Sequence, residues 1–263
     1  MIRLISTDFD GTIYEGSAEH PVDPGLLAHL AEAKARGAAW VINTGRLCPD
    51  LLLILASLKI ELRPDFIVSV ERNIHRRVKG GYEEHASWNR ACREDHRALF
   101  EAAQPGVERV RRRITMELGA EFYHDEWSPL SIIAKSAEDA DRIHDWTLEE
   151  CERVPNLRIV RNARYFRFGH AGYSKGTALG EIARLLGLPP AAVFAAGDHF
   201  NDLSMLDGAH ARHVAAPANA IDEVKEAVRR AGGHVSRRRC GRGVLDALRR
   251  LNGAAPLQPG RKP

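Results

Sequence analysis

What narrows the choice of folds most is a repeated alternation of short apolar runs with well-punctuated helical segments. Ile2 to Asp8 reads as a short buried strand that leads through a loop at Gly11. A helix follows that Asp23 can cap, that Pro24 suits in its first turn and that Gly37 closes. Between those signals Leu26, Leu27, Leu30 and Ala31 share one helical face, and Ala38 to Asn43 is an apolar run suited to a parallel strand. A helix over Leu47 to Leu58 and a strand over Phe66 to Val70 continue the pattern. After Arg167 it returns as a helix from Ser174 to Leu186 closed by Gly187, a strand at Ala192 to Ala196, a helix after Asn201 and a short strand at His213 to Ala215. The expected class is α/β, a doubly wound parallel sheet wrapped by helices.

From about Arg76 the texture changes. EEHASWNRACREDHRALFEAAQ is polar and helical, RRRITMEL and LSIIAKS look like strands, and AEDADRIHDWTLEECERV looks like another helix. The simplest organisation is an inserted α+β module over residues 76–168 inside one domain formed by residues 1–75 and 169–263. The end, GAAPLQPGRKP, reads as a disordered tail.

Several function classes fall away. The longest apolar run, LLLILASL at 51–58, is far short of the roughly 18 residues of a spanning helix, so no membrane partner is expected. MIRLISTDFD lacks the basic start and cleavage site of a secretory signal, which points to cytoplasmic residence. Cys48, Cys92, Cys151 and Cys240 lie far apart without finger spacing, so neither a zinc module nor a disulfide scaffold is expected. With 38 basic and 35 acidic residues, the net charge of +3 is too balanced for a committed nucleic-acid binder, and the Arg109, Arg111 to Arg113 and Arg237 to Arg239 runs read as solvated charge.

Four clusters fall at the ends of expected strands or the starts of helices, where an open α/β sheet binds its ligands. In Asp8-Phe9-Asp10-Gly11-Thr12, two carboxylates two residues apart converge where the first strand ends. Asn43-Thr44-Gly45-Arg46 sets a hydroxyl before free helix N–H groups, which suits a phosphate. Tyr173-Ser174-Lys175-Gly176 puts a cation in a first helical turn, where it opposes the helix dipole and calls for an anionic partner. Gly197-Asp198-His199-Phe200-Asn201-Asp202 adds two carboxylates and an amide. Alone, each reads at least as readily as a turn, a cap or a solvated charge, and the first two more readily so. Together they do not, because four carboxylates at one sheet edge repel unless a divalent cation and a lysine neutralise them, and oxygen ligands favour Mg²⁺.

With those residues in view the chain resembles the haloacid dehalogenase superfamily of phosphatases, in its Cof-like and sucrose-phosphatase-like branch with a class IIB cap. DFDGTIY resembles its first motif, INTGR its second, SKGTAL its third and GDHFNDLSML its fourth, in the family's order. The resemblance implies a Rossmann-like core in which Asp8 is the nucleophile and Asp10 the general acid and base. It implies Mg²⁺ held by Asp8, the Asp10 carbonyl and Asp198, with Asp202 supporting metal-bound water. Thr44, Lys175 and Asn201 would hold the phosphate, with Gly45 and Arg46 beside them, and residues 76–168 would be the cap that confers specificity.

The implied activity is Mg²⁺-dependent hydrolysis of a small phosphorylated metabolite, a sugar phosphate, through an aspartyl phosphate. Phosphotransfer to another acceptor within the superfamily and, further off, a phospho-accepting signalling module are the alternatives. Oligomeric state is not legible. The sequence departs from the branch at Val70-Glu71-Arg72-Asn73, where relatives often carry Asn-Gly-Ala, so cap attachment or substrate contact is expected to differ there. Cys48 is expected to be a packed thiol, and Trp88, Tyr123, His124 and Trp127 are cap-region candidates without assigned roles.

Overall fold

The computed structural model describes residues 1–123 and 127–253. His124 and most of the carboxy-terminal segment expected as a tail lie outside the described residues. The first half of the core alternates β1 (Leu4–Thr7), α1 (Pro24–Ala35), β2 (Ala39–Asn43), α2 (Cys48–Ser57) and β3 (Phe66–Ser69). A hairpin of β4 (Asn73–Val78) and β5 (Gly81–Glu84) follows. Next come α3 (Ala86–Glu117), β6 (Glu121–Tyr123), β7 (Ser131–Ile133), α4 (Ala137–Arg153), β8 (Leu157–Asn162) and β9 (Tyr165–His170). The chain then runs through α5 (Lys175–Leu185), β10 (Val193–Ala196), α6 (Leu203–Leu206), β11 (His213–Ala216), α7 (Asp222–Arg230), β12 (His234–Val235) and α8 (Cys240–Gly253).

Among the described residues the strands form two sheets. The larger has the order β12-β11-β10-β1-β2-β3-β4-β5 and is parallel except for the β4–β5 edge. Strand alternation divides its side chains: Ile5, Trp40, Ile42 and Phe194 pack beneath α1, α2 and α8, while Leu4, Val41, Val68 and Val193 face α5, α6 and α7. The chain leaves β1 toward β2 and β3 and later returns to β10 on its other side, so the strand order reverses beside β1. The expected doubly wound α/β core is therefore present, with its crevice at the carboxyl ends of β1 and β10.

Local signals act as read. Asp23 caps α1 by accepting from the Leu26 amide at 2.9 Å, and Ser174 caps α5 within a reciprocal capping box with Thr177. One segment differs: RRRITMEL is not a strand, because α3 runs on through it to Glu117. Leu99, Ala103, Val107, Val110 and Ile114 make one buried stripe at helical spacing, and that packing outweighs both the β-branched Ile114-Thr115 and the interruption at Pro105. The smaller sheet, β6-β7-β9-β8, is antiparallel and lays Ile132, Leu157, Phe166 and Phe168 on the apolar faces of α3 and α4. The expected boundary at Arg76 falls inside β4, which with β5 belongs to the core sheet, and the one at Phe168 falls inside β9.

A buried polar joint ties the two sheets together. His96 on α3 has Nδ1 on the Cys92 carbonyl at 2.7 Å, so the proton sits there and Nε2 accepts from the His170 amide at 3.0 Å and from Arg72 Nη1 at 2.9 Å. Burial, reinforced by Arg72, pushes the imidazole down to about 3, and a proton on Nε2 would face two donors. The folded value lies below the unfolded one, so His96 weakens the native state as pH falls below about 6.5. His29, His75, His144, His170 and His199 are also lowered by burial and add to the slope. We expect His96 alone to remove about 2 kcal/mol of unfolding free energy between about pH 7 and pH 5. Urea unfolding of His96→Gln at both pH values should lose that part of the slope, and an unchanged slope would contradict the assignment.

Candidate active site

Three core strands deliver the site from their carboxyl ends, and a fourth supplies its wall. Asp8 follows β1 directly, its amide bonded to the Ala196 carbonyl at 2.9 Å, so the first carboxylate is built into the β1–β10 pairing. Thr44 follows β2 and is buried, while Asp198 lies two residues beyond β10. Gly11 is required between them: its φ is +76°, and a Cβ there would lie 2.4 Å from Asp198 Oδ2. The neighbouring Thr12 hydroxyl donates to Asp198 Oδ1 at 2.7 Å.

At the floor lies Lys175, with no exposed surface, its Nζ donating to Asp8 Oδ1 at 2.6 Å and to Asp202 Oδ1 at 2.7 Å. Burial alone would pull this ammonium down, but Asp202 and Asp8 more than reverse that, and its pKa rises above the usual lysine value. Asp202 is spent on structure: its second oxygen accepts from the Asp198 and His199 amides at 2.8 and 2.9 Å. Asp8 is pushed up by burial and by Asp202 and Asp198, against Lys175. Asp198 is carried to about 7 by burial and Asp202, against Thr12 and Lys175.

Oxygens of Asp8, Asp198 and Asp202 come within 4.8 Å of one another. This is an all-oxygen donor set in which burial and mutual repulsion push Asp8 and Asp198 toward the proton-bearing form, and that suits a hard divalent cation. Since both Asp202 oxygens are already engaged, Asp8 and Asp198 are the carboxylates open to such an ion.

Above this floor opens a cavity of about 440 Å³ lined by Asp8, Asp10, Thr44, Arg46, Asp198 and Asn201 from the core and by Tyr123, Val160, Asn162, Tyr165 and Arg167 from the smaller sheet. The sequence-predicted residues thus converge, with Gly45 also in the wall and Lys175 and Asp202 beneath. Arg46, however, does not reach into open space: its guanidinium clamps both oxygens of Asp10 at 2.7 Å. Asn201 is turned aside too, its amide donating to Glu71 Oε1 at 2.8 Å.

Of the cap-region candidates, Tyr123 lines the cavity and Trp88 does not: its indole donates to the Arg72 carbonyl at 2.7 Å and packs edge-on against Tyr173. Trp127 borders a separate cavity of about 1020 Å³ along α3. Cys48 is buried in the core, and burial pushes its thiol up to about 11, as a packed thiol should be. Val160, Asn162, Tyr165 and Arg167 carry no motif. Their signal was the two-residue alternation of LRIVRN and YFRFGH, which puts them opposite the apolar Phe166 and Phe168.

This arrangement defines a class, and residues 112–248 match the family model described as haloacid dehalogenase-like hydrolase. The chain belongs to that family. It is 27% identical over 250 residues to the putative phosphatase YxeH of Bacillus subtilis, covering 86% of this chain and 91% of that one. A putative phosphatase of Streptococcus pyogenes is 22% identical, over 95% and 98% of the two chains. Among solved structures, the fold is similar to the sucrose-phosphatase of Synechocystis, determined with sucrose and phosphate, at a TM-score of 0.73 and 17% identity over 96% and 99% of the chains. A subclass IIB sugar phosphatase of the superfamily superposes at a TM-score of 0.61 and 17% identity over 95% and 99%. Together the family and its relatives support a phosphatase, and the solved structures share its fold. Among the described residues no helix is long and apolar enough to cross a membrane.

The buried triad gives a direct test. Lys175→Met leaves Asp8 and Asp202 facing each other without a cation, and we expect a loss of about 3 to 5 kcal/mol in urea unfolding. A loss below about 1 kcal/mol would show that the ion pairs do not hold the floor together.

Proposed function

We propose that the protein is a Mg²⁺-dependent phosphatase that hydrolyses a small phosphorylated metabolite, a sugar phosphate, through a phosphorylated Asp8. What carries this reading is the placement of Asp8: a carboxylate aimed into the cavity, oriented by a fully buried ammonium and close to a second carboxylate, Asp198. Asp8, Asp198 and the Asp10 backbone carbonyl would hold the ion. When bound, it neutralises the acidic floor and draws charge from the transferring phosphoryl group.

The chain's own residues supply the rest. Thr44, with its hydroxyl accepting from the Arg46 amide at 3.1 Å, and Lys175 flank the phosphate position. An Asp8 oxygen attacks phosphorus and the ester P–O bond breaks, while Asp10 delivers a proton to the departing oxygen. Asp10 then takes a proton from water as that water attacks the aspartyl phosphate, returning the Asp8 carboxylate and inorganic phosphate. For this Asp10 must exchange its clamp on Arg46 for the ester oxygen, which frees the guanidinium for the substrate. The four-stranded module acts in this reading as a cap that covers the cavity, excludes bulk water and contacts the leaving group.

Support for a sugar phosphate comes from the sucrose-phosphatase and subclass IIB sugar phosphatase folds and from the polar lining at Asn162, Tyr165 and Arg167. The decisive variant is Asp8→Asn, which keeps shape and removes the nucleophile. With an aryl phosphate we expect kcat to fall at least about 10³-fold while the urea midpoint stays native-like or rises. Chelation with EDTA should abolish turnover of the wild-type chain, and Mg²⁺ should restore it better than Zn²⁺. Substantial turnover by folded Asp8→Asn, or hydrolysis indifferent to chelation, would overturn the reading.

A further inference from the structure

The turn that follows β3 is strained where a residue other than glycine is least expected. Val70 has φ +43° and Glu71 φ +67°, two successive side-chain-bearing residues in the left-handed region, the first of them β-branched. Such positions are strained and persist where the surroundings fix them, which directs attention to what they position. In this turn the surroundings are the phosphate loop: the Glu71 amide donates to the Thr44 carbonyl at 2.9 Å and the Val70 amide to the Arg46 carbonyl at 3.1 Å. The turn brings the Glu71 side chain over Gly45, where a Cβ would come within 3.2 Å of its Oε1.

A carboxylate therefore stands in the cavity wall beside the loop assigned to the phosphate, although like charge there weakens anion binding. Among the described residues Asn201 donates to this carboxylate at Oε1, which leaves Oε2 open to a further donor, while its charge also supports the buried ammonium of Lys175 and the guanidinium of Arg158. An acceptor in that wall is placed to take a hydrogen bond from a substrate that fills the cavity. A cationic donor would also meet Arg46 and Arg167 in the same wall, so a neutral hydroxyl fits best.

We propose that Glu71 is a specificity-determining residue: its carboxylate accepts a hydrogen bond from a hydroxyl next to the phosphorylated carbon and repels leaving groups that carry an anion there. This deepens the phosphatase reading and rests on it. Asn201 fixes the carboxylate by holding Oε1, and the left-handed backbone sets its direction.

Two nearly isosteric probes isolate the effect. Glycerol 2-phosphate carries two hydroxymethyl groups on the ester carbon, and 2-phosphoglycerate replaces one of them with a carboxylate. With Mg²⁺ present, the wild-type chain should prefer glycerol 2-phosphate in kcat/KM. Glu71→Gln keeps an oxygen for Asn201 and removes the charge, and should narrow that preference at least about ten-fold, chiefly through KM. Glu71→Asp keeps the charge and should retain most of the preference. A Glu71→Gln ratio within about two-fold of wild type would overturn the proposal, since a purely structural role scales both probes alike. If the wild-type chain turns over neither probe nor an aryl phosphate, the phosphatase reading fails. Calorimetric binding of the same two probes to wild type and Glu71→Gln then decides the role of Glu71: a matching narrowing upholds it, and unchanged ratios or binding of neither probe overturn it.

Discussion

The structure depends on an ammonium that has lost all contact with water. Lys175 lies between Asp8 and Asp202, and removing its charge from solvent is tolerable because carboxylates close on it within 2.7 Å, Asp202 the stronger of the two. To satisfy those partners the chain must bring the start of α5 to the ends of β1 and β10 at once. Ser174 caps the helix there, and Gly176 lets it press on α6 so closely that a Cβ would meet the Ser204 carbonyl at 1.8 Å. Asp202 in turn ties down the Asp198 and His199 amides. One ion-pair triad thus sets both the packing of the helical layer and the direction of the carboxylate proposed as nucleophile.

Crowding acids around one cation leaves a surplus of negative charge, and Asp8 and Asp198 respond by rising toward protonation. That is a poor state for a nucleophile, and in the proposed mechanism a divalent cation would return both carboxylates to the ionised form. In the proposed mechanism the Asp10–Arg46 clamp follows the same logic, giving Asp10 a countercharge that it would exchange for substrate. On the proposed mechanism the site is assembled from groups that each await a partner, and Mg²⁺ and a phosphate supply them.

Much of this was legible in the sequence because local and global signals agree in the core. Apolar runs flanked by Asp23, Ser174, Gly37 and Gly187 locate strands and helices, and the acids, Thr44 and Lys175 stand within a few residues of strand ends or helix starts, where the topology must gather them. The insert was harder. Arg111 to Leu118 looks like a strand from its own residues, and only the partners of Val107, Val110 and Ile114 on α4 and the smaller sheet hold it helical. Alternation along β8 and β9 shows which residues share a face, but not that the face with Val160, Asn162, Tyr165 and Arg167 meets the core. Glu71 drew attention as a departure, yet its direction depends on two positive φ angles and a bond from Asn201, 130 residues away in the chain.

The central claim is that phosphorus is attacked first by Asp8 and only then by water. The stereochemical course of hydrolysis tests it most directly, and does so even if the aspartyl phosphate never accumulates. A phosphorothioate ester made chiral with oxygen isotopes, hydrolysed by the intact chain with Mg²⁺ in isotopically labelled water, reports the number of in-line displacements at phosphorus. Two displacements through Asp8 predict retention of configuration, whereas inversion would mean that water attacks the substrate directly and would contradict the assignment of Asp8 as nucleophile.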